Sequence, residues 1–252
     1  MIRTFKKGGI HPPENKLSAN HPIQELPLAK MVYIPVGQHI GAPATPVVKK
    51  GDKVKTGQLI AALTGFVSAN VHSSVSGTVV KVEPFPDTFG YPRLGIAIEV
   101  EGDEWEESID RTEDLKKEID LPGPEIIKKI MDAGIVGMGG ATFPTSIKLV
   151  PPKGMKFEFL LINGVECEPF LTSDNRLMIE KTEEILTGTQ ILMKAMNVDK
   201  AFIGIENNKP EAILRMNQAV PSYKGITIVP LKVKYPQGGE KQLIKAITGR
   251  EV

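Results

Sequence analysis

A glycine-rich loop is the first segment of the sequence whose residues could bind a ligand. It reads GIVGMGGATFPTSIK, and its Gly137, Gly139 and Gly140 would let the backbone approach a ligand closely and present N–H groups to a phosphate. Lys148 would supply a countercharge. The loop differs from the dinucleotide-binding fingerprint, because a helix is predicted before it and Thr142 stands in place of the third glycine. A turn that binds no ligand is the alternative.

A polar loop follows the next predicted strand, in the sequence LLINGVECEPFLTSDNR. Its polar residues are Asn163, Glu166, Glu168, Asp174 and Arg176. Ligands of parallel α/β sheets bind at the carboxyl ends of the strands, and carboxylates accept hydrogen bonds from ribose hydroxyls. Carboxylates crowded in this way are costly unless they are exposed or serve a ligand. The pattern therefore indicates either a binding site or a solvated loop.

A third loop, YPQGGEKQLI, has the same character. Gly238 and Gly239 come directly before a predicted helix, and Glu240 lies in the first turn of that helix. The loop also follows a predicted strand. Three such loops on one sheet favour a ligand site over coincidence.

The three loops belong to a predicted α/β domain in residues 121–252. The helix PGPEIIKKIMDAG opens with proline and closes at Gly134. The predicted strands are FEFLLIN, AFIGIE and GITIVPLKV, and the helical segments between and after them are NRLMIEKTEEILTGTQILMKAM, KPEAILRMNQAV and EKQLIKAIT. Strands that alternate with helices predict a mainly parallel sheet with right-handed crossovers.

Residues 31–120 predict a small all-β domain followed by an acidic connector. The strands MVYIPV, QLIAAL, GTVVKV and GIAIEV are punctuated by turn residues, and Gly51 and Gly77 are expected where turns need a positive φ. The order of strands and turns resembles the barrel-sandwich fold of biotinyl and lipoyl carrier domains. A carrier needs a lysine at its hairpin tip, and none occurs between Leu63 and Val79. We therefore expect a scaffold or docking module without biotinyl or lipoyl groups.

Residues 1–30 are rich in proline and predict either an extended arm across a folded surface or a disordered segment. They lack the apolar core of a signal peptide. No apolar run approaches the roughly 20 residues that span a bilayer. We therefore expect a cytoplasmic chain that reaches the membrane only through partner subunits.

The composition limits the classes of function. The chain has 252 residues, a net charge of +1 and one cysteine, Cys167. The near-neutral charge does not indicate a nucleic-acid partner. One cysteine excludes a disulfide framework within the chain and a four-cysteine iron–sulfur site.

The three loops, in this order, resemble the flavoprotein subunit of respiratory complex I. Together with the opening arm GGIHPPENK and the barrel-sandwich module, the chain most resembles RnfC, a component of the Rnf electron-transport complex. This resemblance implies part of a peripheral, ion-translocating ferredoxin:NAD oxidoreductase on the cytoplasmic face of the membrane. The implied partners are the other Rnf subunits and, indirectly, ferredoxin. Iron–sulfur clusters are expected only in a C-terminal region of the family that this sequence does not include.

The same resemblance implies binding roles in the three loops, with FMN and NAD(H) as cofactors. The residues expected to hold FMN are Gly137, Gly139, Gly140, Lys148, Asn163 and Glu166. Those expected to contact the nicotinamide nucleotide or to close the pocket are Phe143, Glu168, Tyr235, Gly238 and Glu240. Hydride exchange with a flavin needs no acid or base from the protein, so neither a catalytic residue nor a metal ligand is expected.

Three departures from the complex I pattern leave two alternatives open. Met138 replaces an arginine, Val165 replaces an aspartate, and Gly239 replaces one of two adjacent glutamates. A scaffold subunit that no longer holds flavin is the first alternative. An enzyme acting on sugar or nucleotide phosphates is the second, and it would need a catalytic base near Lys148.

Overall fold

The computed structural model describes residues 2–251 and divides into two compact units. Unit 1 comprises Met1–Glu25, Leu115–Asp120 and Pro152–Val252. Unit 2 comprises Leu26–Asp114 and Leu121–Pro151. Among residues 2–251 no helix is both long enough and apolar enough to cross a membrane.

Unit 2 contains two small antiparallel sheets with strand orders β1–β7–β6–β3 and β2–β4–β5. The strands are β1 (Met31–Pro35), β2 (Thr45–Pro46), β3 (Lys53–Val54), β4 (Leu59–Ala62), β5 (Val71–His72), β6 (Gly77–Pro86) and β7 (Pro92–Val100). The four predicted strands correspond to β1, β4, β6 and β7. The prediction of a small all-β domain is therefore confirmed.

The core of unit 2 lies on the inner face of the larger sheet. Ile96 of β7 pairs with Ile34 on one side and Val82 on the other, and Ile98 pairs with Val79. Ile34, Val79, Ile96 and Ile98 are all buried. Branched side chains opposite one another on neighbouring strands stabilise the sheet through direct packing.

Unit 2 also contains the predicted helix α1 (Gly123–Asp132) and the short helix α2 (Thr145–Lys148). Helix α1 ends where Gly134 takes a φ of 66°. The Asn70 side chain donates from Nδ2 to the Asp132 carbonyl at 3.0 Å, and a Cβ on Gly134 would overlap the Asn70 carbonyl oxygen. These contacts explain why Leu121–Pro151 belongs with the β strands.

The division into units differs from the segments 1–30, 31–120 and 121–252 expected from the sequence. The glycine-rich loop falls in unit 2, whereas the polar loop and the YPQGGEK loop fall in unit 1. Sequence order could not show this, because the contacts of α1 join residues more than 60 positions apart. The three segments stay a prediction about how the chain is organised into domains.

Unit 1 contains a parallel sheet of order β10–β9–β8 with helices around it. Its elements are β8 (Leu160–Gly164), α3 (Ser173–Glu180), α4 (Thr182–Met196), β9 (Ala201–Glu206), α5 (Pro210–Ala219), β10 (Ile226–Leu231) and α6 (Glu240–Thr248). The predicted α/β class with a mainly parallel sheet is confirmed. The first predicted helical segment is two helices, because the backbone leaves the helical region at Lys181, with φ −126° and ψ 36°.

The N-terminal residues 2–25 run as an extended arm within unit 1. Arg3 forms a parallel bridge with Leu231, and Ile10 forms an antiparallel bridge with Tyr235. Arg3 also donates from Nη1 to the Ile247 carbonyl at 2.6 Å. These contacts hold the described part of this segment against unit 1, and the arm over residues 1–30 stays a prediction.

Replacing Gly77 should destabilise unit 2 more than replacing Gly51. Both have a positive φ as predicted, +155° and +93°, so alanine at either position is strained by about 1 to 3 kcal/mol. A Cβ on Gly77 would also overlap the carbonyl oxygen of Glu99, whereas on Gly51 it would meet no atom within 4 Å. We expect Gly77→Ala to lower the free energy of unfolding more than Gly51→Ala in urea denaturation. Equal losses would contradict the close approach to Glu99.

Candidate functional site

In unit 2 the glycine-rich loop is closed at its base and open at its tip. The Gly137 N–H donates to the Phe143 carbonyl with an N to O distance of 2.9 Å, and Lys148 Nζ lies 5.9 Å from the centre of the Phe143 ring. A Cβ on Gly139 or Gly140 would meet no atom within 4 Å, and neither residue has a positive φ. Neither backbone conformation nor packing among the described residues therefore requires glycine at these two positions.

The open tip fits a phosphate, because main-chain N–H groups can donate to its oxygens when no side chain stands in the way. Lys148 is the cation at the base of the loop, and its Nζ would lie 2.7 Å from a Cβ on Gly137. A Cβ on Gly137 would therefore meet the flexible end of the Lys148 side chain, whereas one on either glycine at the tip would meet nothing within 4 Å. Met138 is 93% exposed and adds no positive charge.

In unit 1 the polar loop and the YPQGGEK loop are joined by hydrogen bonds. The Asn163 side chain donates from Nδ2 to the Gly238 carbonyl at 2.8 Å, and the Gly238 N–H donates to Cys167 Sγ at 3.3 Å. A Cβ on Gly238 would lie 3.3 Å from that sulfur, so glycine is favoured by close packing. The structure therefore brings together Asn163 and Gly238, which are 75 residues apart in the sequence.

Tyr235 and Glu240 border the same turn. The Tyr235 backbone exchanges two hydrogen bonds with Ile10 of the arm, and Glu240 is the first residue of α6. Between them Gln237 is fully buried and accepts a hydrogen bond from Thr4 Oγ1 at 2.8 Å. Its Nε2 is buried without a hydrogen-bond partner among the described residues.

Glu166 is a buried carboxylate with one oxygen free of protein partners. Its backbone has a φ of 49°, and the residue is 6% exposed. Oε1 accepts from the Asp174 N–H at 2.7 Å and from Ser173 Oγ at 3.3 Å, whereas Oε2 is buried and has no partner among the described residues. Buried carboxylate oxygens normally have donors, so an enclosed water molecule is a suitable donor to Oε2.

Lys209 and Glu206 form a buried pair that sequence reasoning missed. Lys209 Nζ donates to the Val165 carbonyl at 2.8 Å and to the Glu166 carbonyl at 3.3 Å, and lies 3.9 Å from Glu206 Oε2. Burial lowers the pKa of Lys209 and raises the pKa of Glu206, while the Lys234 N–H donating to Glu206 opposes the latter shift. The available signal was the position of both residues at the carboxyl end of a predicted strand.

The remaining residues of the polar loop have different environments. Glu168 is exposed, so the alternative of a solvated loop describes Glu168 but not the buried Glu166. Burial, together with the Glu166 carboxylate, raises the pKa of Asp174. Arg176 donates to Glu180 at 2.6 Å and to the Ala19 carbonyl, and is therefore engaged within the protein. Within residues 2–251 no group of three or more His, Cys, Asp or Glu side chains could hold a metal ion.

Comparison with known proteins matches both halves of the chain. Residues 4–103 match the family model of the RnfC barrel sandwich hybrid domain, and residues 130–252 match that of the Nuo51 FMN-binding domain. The C subunit of the proton-translocating ferredoxin:NAD(+) oxidoreductase complex of Clostridium ljungdahlii is 49% identical over 100% of this chain and 54% of its own length. The chain belongs to the RnfC family. The predicted barrel-sandwich fold is thereby confirmed.

Further members of the RnfC family show the same relation. The C subunit of the Na(+)-translocating ferredoxin:NAD(+) oxidoreductase complex of Acetobacterium woodii is 46% identical over 99% of this chain and 56% of its own length. The C subunit of the ion-translocating oxidoreductase complex of Rhodobacter capsulatus is 44% identical over 97% of this chain and 47% of its own length. The chain thus spans about half the length of these curated relatives.

A solved NAD+-reducing NiFe hydrogenase in the air-oxidized state is similar to about half of the chain. It is 26% identical, covers 51% of this chain and 24% of its own, and has a TM-score of 0.44. That score is below the level at which two folds are called the same. The range matched by the FMN-binding domain model contains every binding residue expected from the sequence, and the individual roles of those residues stay a prediction.

Cys167, the single cysteine of this RnfC family member, should react slowly with iodoacetamide. Burial raises the pKa of its thiol, and the negative charge of Glu168 raises it further. The hydrogen bond from the Gly238 N–H acts in the opposite direction. Because the thiolate is the nucleophile, alkylation at pH 8 should be slower in the native protein than in the same chain unfolded in urea. The native rate should keep rising at pH values where the unfolded chain has levelled off. A native rate equal to the unfolded one would be inconsistent with this environment.

Proposed function

We propose that this chain binds FMN and NAD(H) as part of a ferredoxin:NAD oxidoreductase complex. The observation that supports this most is the open backbone at Gly139 and Gly140, which lies in the range matched by an FMN-binding domain model. When bound, a flavin supplies the hydride chemistry between NAD(H) and one-electron acceptors. The residues of this chain bind and orient the two cofactors.

The glycine-rich loop is assigned the phosphate of FMN. Gly139 and Gly140 are exposed and place no side chain over the loop, and Lys148 adds a positive charge at the base of the loop. Phosphate oxygens accept several hydrogen bonds at once, so uncovered main-chain donors and one cation suit them well. The absence of a side chain at Gly137 leaves room for the ammonium group of Lys148.

Asn163 and Glu166 are assigned to the polar edge of the flavin. Asn163 is held by Gly238, and Glu166 is held through Oε1 by Ser173 and Asp174. Oε2 is buried and has no partner among the described residues, so it could accept a hydrogen bond from a flavin N–H or a ribityl hydroxyl once the atoms that cover it move aside. Because Oε1 is already held by protein donors, the Glu166 side chain loses little conformational freedom when a ligand binds.

In unit 1 the nicotinamide nucleotide is assigned to Glu168, with Tyr235, Gly238 and Glu240 closing the pocket. For Phe143, which belongs to unit 2, a contact with the nucleotide is proposed from the family resemblance alone. Glu168 is exposed, so its carboxylate is available to ribose hydroxyls. Phe143 offers an aromatic face. In these assignments the residues position the nucleotide, and none transfers a proton.

The proposed activity of the whole complex is based on the complexes to which the relatives belong. They are subunits of complexes that move H+ or Na+ while transferring electrons between ferredoxin and NAD(+). We infer that this chain works with the other Rnf subunits, peripherally, on the cytoplasmic face of the membrane. Cys167 is the only cysteine, so iron–sulfur clusters would have to come from elsewhere in the protein or the complex.

Two observations favour a second function, a scaffold subunit that holds no flavin. Val165 is fully buried in an apolar cluster, so the carboxylate found there in complex I has no counterpart. Met138 presents an exposed thioether where complex I has an arginine. A purified chain that neither absorbs at flavin wavelengths nor binds added FMN would support the scaffold function and overturn the first proposal.

Gly139→Val should weaken FMN binding by more than about tenfold, since a branched side chain would cover the N–H groups that face the phosphate. The measurement is a titration of FMN fluorescence with the purified chain. Gly188→Val in α4 is the matched control, because a Cβ there also meets no atom within 4 Å and its φ is not positive. Unchanged affinity in Gly139→Val would remove the loop from the site.

Glu168→Gln should weaken NADH binding and reduce the preference for NADH over NADPH. A carboxylate accepts from ribose hydroxyls and repels a 2′-phosphate, whereas the amide does neither as strongly. The dissociation constants of both nucleotides are measured on the FMN-loaded chain, before and after the change. Equal affinity of the unaltered chain for NADH and NADPH would exclude a selective role for Glu168.

A further inference from the structure

Lys16 of the N-terminal arm is bonded to the loop that follows β8. Its Nζ donates to three main-chain carbonyls, at 2.9 Å, 2.8 Å and 2.6 Å, which belong to Glu166, Glu168 and Leu171. A lysine ammonium has three donors, so this set of acceptors uses all of them. The nearest of these carbonyls in sequence is 150 residues away from Lys16.

Neighbouring residues of the arm extend the contact along the loop. The Phe170 N–H donates to the Glu14 carbonyl at 2.9 Å. The hydroxyls of Ser18 and Thr172 lie 2.7 Å apart. Residues 14–18 therefore follow the loop for most of its length and act as its hydrogen-bonding surface.

The loop needs such support because two of its residues have unfavourable backbone conformations. Glu166 has a φ of 49° and Phe170 a φ of 70°, both in the region that favours glycine. Conformations of this kind persist only where surrounding interactions hold them. The Lys16 bonds lie at both ends of the segment from Glu166 to Leu171.

Lys16 does not hold all parts of the loop equally. The Glu166 carbonyl also accepts from Lys209 at 3.3 Å, and the Glu166 carboxylate is held by Asp174. Among the described residues, the Glu168 carbonyl accepts from Lys16 alone. Removing the ammonium would therefore release Glu168 much more than Glu166.

We propose that Lys16 is a positioning residue for the nicotinamide nucleotide. Its ammonium fixes the backbone from Glu168 to Leu171 and thereby sets the point from which the Glu168 side chain reaches the nucleotide. This inference rests on the proposed function, in which Glu168 meets the nucleotide and Glu166 meets the flavin. It adds the N-terminal arm to the binding site, although no residue of the arm is assigned a contact with either cofactor.

The test compares two affinities in one variant. Lys16→Met keeps the length of the side chain and removes its donors. It should weaken NADH binding to the FMN-loaded chain by about tenfold or more, as expected for the loss of charged hydrogen bonds, and FMN binding by less than about threefold. Hydrogen exchange at the Phe170 amide should speed up. Lys6→Met, a change at an exposed lysine of the same arm, should leave both affinities and that exchange rate unchanged.

Three results would overturn the proposal. The first is unchanged NADH affinity in Lys16→Met, and the second is an equal loss of NADH and FMN affinity together with a lower melting temperature, which marks a purely structural role. If Lys16→Met does not fold, Lys16→Arg keeps the charge but not the same arrangement of donors, and it must still weaken NADH more than FMN. The third is an unaltered chain that binds neither ligand, which overturns the proposed function and this inference together.

Discussion

The buried ammonium of Lys209 is the interaction on which the carboxyl edge of the parallel sheet depends. An ammonium taken out of water is costly unless acceptors surround it. The chain after β8 meets this demand by turning the carbonyls of Val165 and Glu166 toward Lys209, while Glu206 supplies a carboxylate 3.9 Å away. Glu166 takes a positive φ at this point, and its carboxylate is directed into the protein with one oxygen left for another donor.

Lys16 of the N-terminal arm contacts the same turn. The Glu166 carbonyl accepts from both Lys16 and Lys209, so two cations converge on one main-chain oxygen. Burial is the main cause of the lowered pKa of Lys209, the repulsion from Lys16 lowers this pKa further, and nearby carboxylates, among them Glu206, oppose both effects. The arm is thus part of the electrostatic balance of the loop, and its position depends on charge as well as on the main-chain bridges at Arg3 and Ile10.

Unit 2 has the fold of a carrier domain without a lysine in the expected hairpin. The antiparallel sheets and the glycine turns of a carrier domain are present, and the lysine that would bear a cofactor is not found in the hairpin. The same unit holds the open glycines Gly139 and Gly140. Fold alone therefore predicts little about function here, and ligand binding in this unit is supported instead by the uncovered backbone at Gly139 and Gly140.

The sequence by itself determined the elements and the loops between them. Alternating branched residues predicted strands such as β7, glycines predicted the turns at Gly51 and Gly77, and the position of Asn163 at a strand end predicted a polar edge, because these signals are local. Only the tertiary structure placed α1 and the glycine-rich loop with the β strands, and only it distinguished Lys16 and Lys209 from surface lysines. The reason is physical, since a lysine is held in place by its acceptors, and the first main-chain acceptors of Lys16 and Lys209, the carbonyls of Glu166 and Val165, lie 150 and 44 residues away along the chain.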